Sequence, residues 1–158
     1  MDNGHISSDK IVRSLPKSPR RNVSREMLYN ALMLPDDIRK NVGKGGEEIA
    51  YVFLVKKGYR VIEKNYRRKW GEIDIIAEKD GTVRFIEVKT VSRESRDYRP
   101  EELVHRTKLR KVARTAALYM EEHHDEREFQ IDAVGVILNE RERIARCRLF
   151  EQALEDNL

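Results

Sequence analysis

The stretch from Gly71 to Thr90, GEIDIIAEKDGTVRFIEVKT, constrains this chain more than any other. Two strand-like runs, Ile73 to Ala77 and Thr82 to Lys89, flank the pair Asp80-Gly81. An Asp-Gly pair between two such runs is a strong short-range hairpin signal, because a tight turn needs positive φ at both central positions. The hairpin makes its two strands neighbours. Asp74, set between Ile73 and Ile75, is thereby brought toward Glu87, set between Ile86 and Val88. Alternation along a strand puts Glu87 and Lys89 on one face.

Two carboxylates placed together repel each other and require a cation or a shared proton. A pair of oxygens with open coordination suits magnesium or manganese, hard ions that keep several waters. A nearby lysine adds a positive charge for a phosphate or for a water activated by the metal. Phosphodiester hydrolysis needs this set: a metal to lower the pKa of water and neutralise developing charge, and a cation to stabilise it. Lys89 can itself serve as a base if burial depresses its pKa. The competing reading of the same residues is a set of cross-strand salt bridges on an exposed sheet face.

The rest of the chain supplies a scaffold for either reading. Gly43-Lys44-Gly45-Gly46 leads into a helix over Glu47 to Lys57, with Ile49, Ala50, Val52, Phe53 and Leu54 toward one side and Gly58 placed to end it. A strand is expected over Tyr59 to Tyr66, ahead of the hairpin. Thr90 to Arg99 reads as a loop. Pro100-Glu101-Glu102 opens a second helix that runs to about Glu122. Lys108 sits at the edge of its apolar stripe. Phe129 to Leu138 is nearly continuously apolar, as a buried strand would be, and contains one acid, Asp132. A buried carboxylate is usually paired or binds metal, and an ion pair with an arginine is favoured here. A last strand is expected over Ile144 to Phe150, and a helical turn over Glu151 to Leu154. The order predicts an α/β fold, a mixed sheet flanked by helices.

The segment before this domain is different. Lys10 to Arg25 has six basic residues, two prolines and no acid. Residues 1–37 are expected to be a basic, flexible extension, with one or two helical turns over Met27 to Leu34, and 38–158 the folded domain. Net charge is +4 over 158 residues, which permits a nucleic-acid partner without requiring one. Cys147 is the only cysteine, so an intrachain disulfide and a multi-cysteine metal site are excluded, and a cytoplasmic setting is expected. No apolar stretch is long enough to cross a membrane. His105 and His123-His124 lack partner histidines at useful spacing and read as a solvated helix end. Trp70, Tyr51 and Tyr59 read as packing residues.

Several spaced motifs, in order, resemble the YraN family of endonuclease-like bacterial proteins. They are Gly46-Glu47, Ala50, Gly58-Tyr59, Asn65 and Arg67, then Gly71 to Ala77, then Phe85 to Thr90, then Lys108, Ala116 and Tyr119, and finally Ile131-Asp132. The likeness runs from about Gly43 to Val136. It implies the restriction-endonuclease-like fold, an α-β-β-β-α-β core shared with archaeal Holliday junction resolvases and with other PD-(D/E)XK nucleases. It further implies that Asp74 and Glu87 bind the metal, that Lys89 is catalytic, and that Glu47 completes the site. Lys108, Arg67 and Arg93 are the basic residues expected to meet nucleic acid. Two positions depart from the family pattern: Thr90-Val91-Ser92 precedes Arg93, and Gln130-Ile131-Asp132 replaces an Arg-Phe-Asp run. The expectation is a Mg2+- or Mn2+-dependent DNA endonuclease, acting on branched or processed DNA. The alternative is a non-catalytic nucleic-acid-binding module on the same fold. One chain carries one such site, so paired cuts would take a homodimer.

Overall fold

A computed structural model of the chain describes residues 26–30, 42–92, 105–139 and 144–154. Among the described residues, six strands and two helices follow one another as β1 (Glu26–Asn30), α1 (Val42–Lys56), β2 (Arg60–Arg68), β3 (Gly71–Lys79), β4 (Thr82–Ser92), α2 (Arg106–Glu122), β5 (Phe129–Asn139) and β6 (Ile144–Phe150). They form one mixed sheet in the order β1-β6-β5-β4-β3-β2. All neighbours are antiparallel except β4 and β5, which run parallel. A parallel pair needs a crossover, and α2 supplies it. The α-β-β-β-α-β order from α1 to β5 is that of a restriction-endonuclease-like core.

Each helix covers one face of the sheet. Ile49, Ala50, Val52, Phe53 and Leu54 of α1 pack on Ile75, Ala77, Ile86, Val134 and Val136. Leu109, Val112, Ala116, Tyr119 and Met120 of α2 pack on Tyr66, Ile76, Val83, Phe85 and Ala133. Burial on both faces explains why β5 reads as a nearly continuous apolar run.

Local chemistry sets the element ends. Gly58 takes φ +84° after α1, and its N–H donates to Val55 O while Tyr59 N–H donates to Leu54 O, both at 3.0 Å. This is a Schellman cap, with glycine in the left-handed position as expected. Asp80 and Gly81 have φ of 52° and 77°, the two positive values that the tight hairpin requires. The end of α2 repeats the Schellman pattern without glycine. His124 has φ 48°, its N–H donates to Glu121 O, and Asp125 N–H donates to Met120 O. The histidine pair is thus a helix cap, and His123 also stacks on Tyr119 at 3.9 Å between ring centroids.

Two expectations need correction. Helical turns were expected over Met27 to Leu34, but Glu26–Asn30 is a strand paired with β6, from Glu26↔Arg148 to Asn30↔Ile144. The open edge of β6 offers unpaired backbone groups, and this satisfies a short segment more fully than an isolated helical turn can. The strand lies within the segment expected to be a flexible extension. Glu151 to Leu154 forms turns, not a helix. The basic run Lys10 to Arg25 and the expected helix start at Pro100 lie outside the described residues. Among the described residues no helix is long and apolar enough to cross a membrane.

Candidate active site

The hairpin ladder is regular from Lys79↔Thr82 to Ile75↔Ile86. One position further on, the register would set Asp74 opposite Glu87, and here the structure departs from a plain sheet. Asp74 Oδ2 accepts a hydrogen bond from Val88 N at 2.8 Å, so the side chain occupies space between the strands. Ile73 packs with the α2 cluster and Ile75 with the α1 cluster. Residues two apart in an even strand share a face, so β3 is irregular across Asp74. The strands open at the point where the two carboxylates meet.

Burial and mutual repulsion dominate the electrostatics. Glu87 is pushed up to about 8, first by loss of solvent and then by the Asp74 charge, with Lys108 acting in the opposite direction. Asp74 is also raised by burial, against the Val88 N–H and a hydrogen bond with Glu87 that lower it. Glu87 therefore keeps its proton near neutral pH, in hydrogen-bond contact with Asp74. Glu87 Oε2 is buried and has no hydrogen-bond partner.

Lys108 of α2 reaches this pair. Its Nζ donates to Glu72 Oε1 at 3.1 Å and lies 3.8 Å from Glu87 Oε1. Burial pulls the Lys108 pKa down, but Glu72, Glu87 and Asp74 outweigh it and hold the ammonium above its usual range. Glu72 is lowered in return, chiefly by its hydrogen bond to Lys108. Sequence reasoning gave Glu72 no role. Its position two residues before Asp74 in the same strand was the available signal.

The other expected site residues lie around this centre. Lys89 is exposed and makes no hydrogen bond or ion pair with a described residue. It lies on the Glu87 face, since the β4–β5 register is regular from Glu87↔Ala133 to Lys89↔Gly135. The burial that a base role for Lys89 requires is absent at this exposed position. Glu47 is half-buried near the start of α1. Its neighbour Gly46 is seated so close to Thr90 that a Cβ there would come within 2.7 Å of Thr90 Cβ. This docks the Glu47 end of α1 against β4 one residue beyond Lys89. On the other face, Gly71 approaches Thr115 of α2 with the same intimacy, at 3.3 Å from a notional Cβ to Thr115 Cβ. Arg67 is exposed on β2, 4.0 Å from Glu72. Arg93 lies outside the described residues. Among the described residues no three His, Cys, Asp or Glu side chains converge as metal ligands, so Glu47 does not form a three-acid cluster with Asp74 and Glu87.

Asp132 is structural. It is fully buried and bonded to Arg84 Nη1 at 3.3 Å, Gln130 Nε2 at 2.7 Å and Gln152 N at 2.9 Å. Its partner in the parallel register is Ile86, which packs under α1, so it sits on the opposite face from Glu87.

A mixed sheet of this order, with an acid pair where its central hairpin opens, defines a restriction-endonuclease-like α/β protein. The sequence places it more narrowly. Residues 46–136 match the profile of the uncharacterised protein family UPF0102, and the chain belongs to that family, the YraN-like one. A UPF0102 protein of Symbiobacterium thermophilum is 41% identical over 116 residues, covering 72% of this chain and 96% of the relative. One from Nitratiruptor is 38% identical over 109 residues, covering 69% and 94%. One from Persephonella marina is 44% identical over 78 residues, covering 49% and 66%.

Proposed function

We propose that this chain is a divalent-metal-dependent nuclease that hydrolyses phosphodiester bonds in DNA. The observation that carries the reading is the half-buried Asp74–Glu87 pair, two carboxyls in hydrogen-bond contact, with Glu87 Oε2 lacking a partner among the described residues. Burying two acids together costs stability unless something positive joins them. The donor set is all oxygen and incomplete on the protein side, which fits Mg2+ or Mn2+ with waters completing the shell. Asp74 and Glu87 would hold the ion, with Glu47 near the start of α1 as the further residue proposed to complete the site. Such an ion would supply an activated water and neutralise charge on the phosphate.

The chain's own residues do the rest. Lys108 balances the acids and presents an ammonium to an incoming phosphate. Lys89, exposed and unpaired two residues beyond Glu87, stabilises charge developing on the phosphoryl oxygens. A second copy of the chain would be needed only for paired cuts. The buried free thiol of Cys147 suits a reducing cytoplasm.

The test is cleavage of duplex, single-stranded and branched DNAs with Mg2+, Mn2+ or chelator. The metal-loaded wild type should cut at least one of them. Asp74→Ala should lose on the order of 100-fold or more, given several kcal/mol of stabilisation supplied through the metal. Absence of cutting on every substrate, or an Asp74→Ala protein as active as wild type, would remove the nuclease reading and leave the binding module.

A further inference from the structure

Beside the acid pair lies a groove of about 580 Å3 that shares Lys108 with it and whose other basic residues the reaction chemistry does not use. Its floor is the β2–β3 connection, with Trp70 and Gly71, and one side is α2. Six basic side chains line it: Arg67, Arg68, Lys69, Lys108, Lys111 and Arg114. Glu72 is the one acid among the lining residues.

Neutralisation within the groove is incomplete. Glu72 engages Lys108 and Arg67, and Arg68 lies 3.9 Å from Glu122. Lys69, Lys111 and Arg114 are exposed, and none has an ion-pair partner among the described residues. Surface lysines scattered at random would need no explanation. These converge on a concavity, where three unneutralised cations lie side by side.

The spacing is informative. Lys108, Lys111 and Arg114 recur every three residues and so form one row along α2. At about 1.5 Å per residue the row spans roughly 9 Å. The rise of about 3.4 Å per nucleotide is measured along the duplex axis, and adjacent phosphates of one strand lie roughly twice that far apart through space, so the row matches about two of them, with Lys69 available to a third. It begins at Lys108, the residue that also touches Glu87, and leads away from the acid pair.

We infer that this groove holds two or three backbone phosphates of the nucleic-acid strand on one side of the bond to be cut, with Lys69, Lys111 and Arg114 as their partners. The inference rests on the nuclease reading for its position relative to the cut. Binding itself can be measured without cleavage. The groove then sets which side of the strand is gripped, and it favours a strand that continues past the site over a terminal nucleotide.

The experiment is fluorescence anisotropy with labelled single-stranded and duplex DNA, in chelator, across a salt series. Wild type is compared with Lys69→Ala/Lys111→Ala and with Lys56→Ala/Arg146→Ala, which removes the same charge elsewhere. The groove variant should lower the slope of log K against log salt by about 1.4 on single strands or about 1.8 on duplex, from about 0.7 or 0.9 per lost contact. The control pair should stay within half of that. Equal losses in the two variants, or no measurable binding by wild type at low salt, would overturn the inference. Normal groove-dependent binding with no cutting under any metal would instead sink the nuclease reading and leave the groove standing.

Discussion

Glu87 is the residue on which folding and chemistry pull in opposite directions. Its folded pKa of about 8 lies above the ordinary value of 4.5, because burial and Asp74 disfavour the charged form. The stability it contributes is complete below about 4.5 and lost as pH rises through about 8. Metal-free protein should therefore lose stability across that window in urea denaturation, and Glu87→Gln, which keeps the neutral form, should flatten the loss. An unchanged slope in the variant would mean that the pair is not buried as described. Asp132 tests the contrary case, a buried acid used for structure. Asp132→Ala leaves the buried Arg84 with only the half-exposed Glu151 carboxylate, 3.4 Å away, and should cost up to about 3–5 kcal/mol, measured by denaturant unfolding, while cleavage persists at low temperature. The meeting of Asp74 with Glu87 was legible in the sequence, because a two-residue turn fixes the register of its strands. The lysine beside them was less so. Lys89 was the nearer in sequence, but Lys108 makes the contact, since its distance depends on how α2 lies across the sheet. The partner of Asp132 was hidden for a like reason, as Arg84 reaches it only through the parallel β4–β5 pairing.

At the scale of elements, two glycines bring the helices close on either side of the site, and two caps close the helices. Gly46→Ala would press a methyl group into Thr90 and should destabilise by about 1–3 kcal/mol. Trimming the neighbour in a Gly46→Ala/Thr90→Ala protein should recover part of that loss, and simple additivity of the two changes would show that they do not touch. His124 holds the left-handed cap position of α2 at a cost that glycine escapes. His124→Gly should raise stability by about 1 kcal/mol, seen as a higher Tm; a lower Tm would show that the imidazole contributes more than its backbone strain removes. Most elements were readable because apolar periodicity and turn residues agreed. β1 was not. Its five residues carry no alternating pattern, and its conformation is decided by the vacant edge of β6, 114 or more residues away in the chain at every paired position. Irregularity across Asp74 was equally unreadable, since Ile73-Asp74-Ile75-Ile76 looks like an even strand and opens only in the context of both helices.

For the whole molecule, the sheet is a partition with a packed helix on each face, and the acid pair lies where its central hairpin opens toward α2. This places a buried, hydrogen-bonded acid pair beside a groove rich in unneutralised cations, an arrangement suited to bringing a polyanion to a metal. The fold class and the identity of the two acids were available from the sequence, while the groove was not, because its lining comes from the β2–β3 connection and from one face of a helix 40 residues further along. The central claim is that Asp74 and Glu87 form a metal centre. It is tested most directly by anomalous diffraction from crystals of the protein soaked in manganese. A peak between the two carboxylates, lost in Asp74→Ala, is the predicted result. Two acids still in hydrogen-bond contact, with no manganese at saturating concentration, would contradict it.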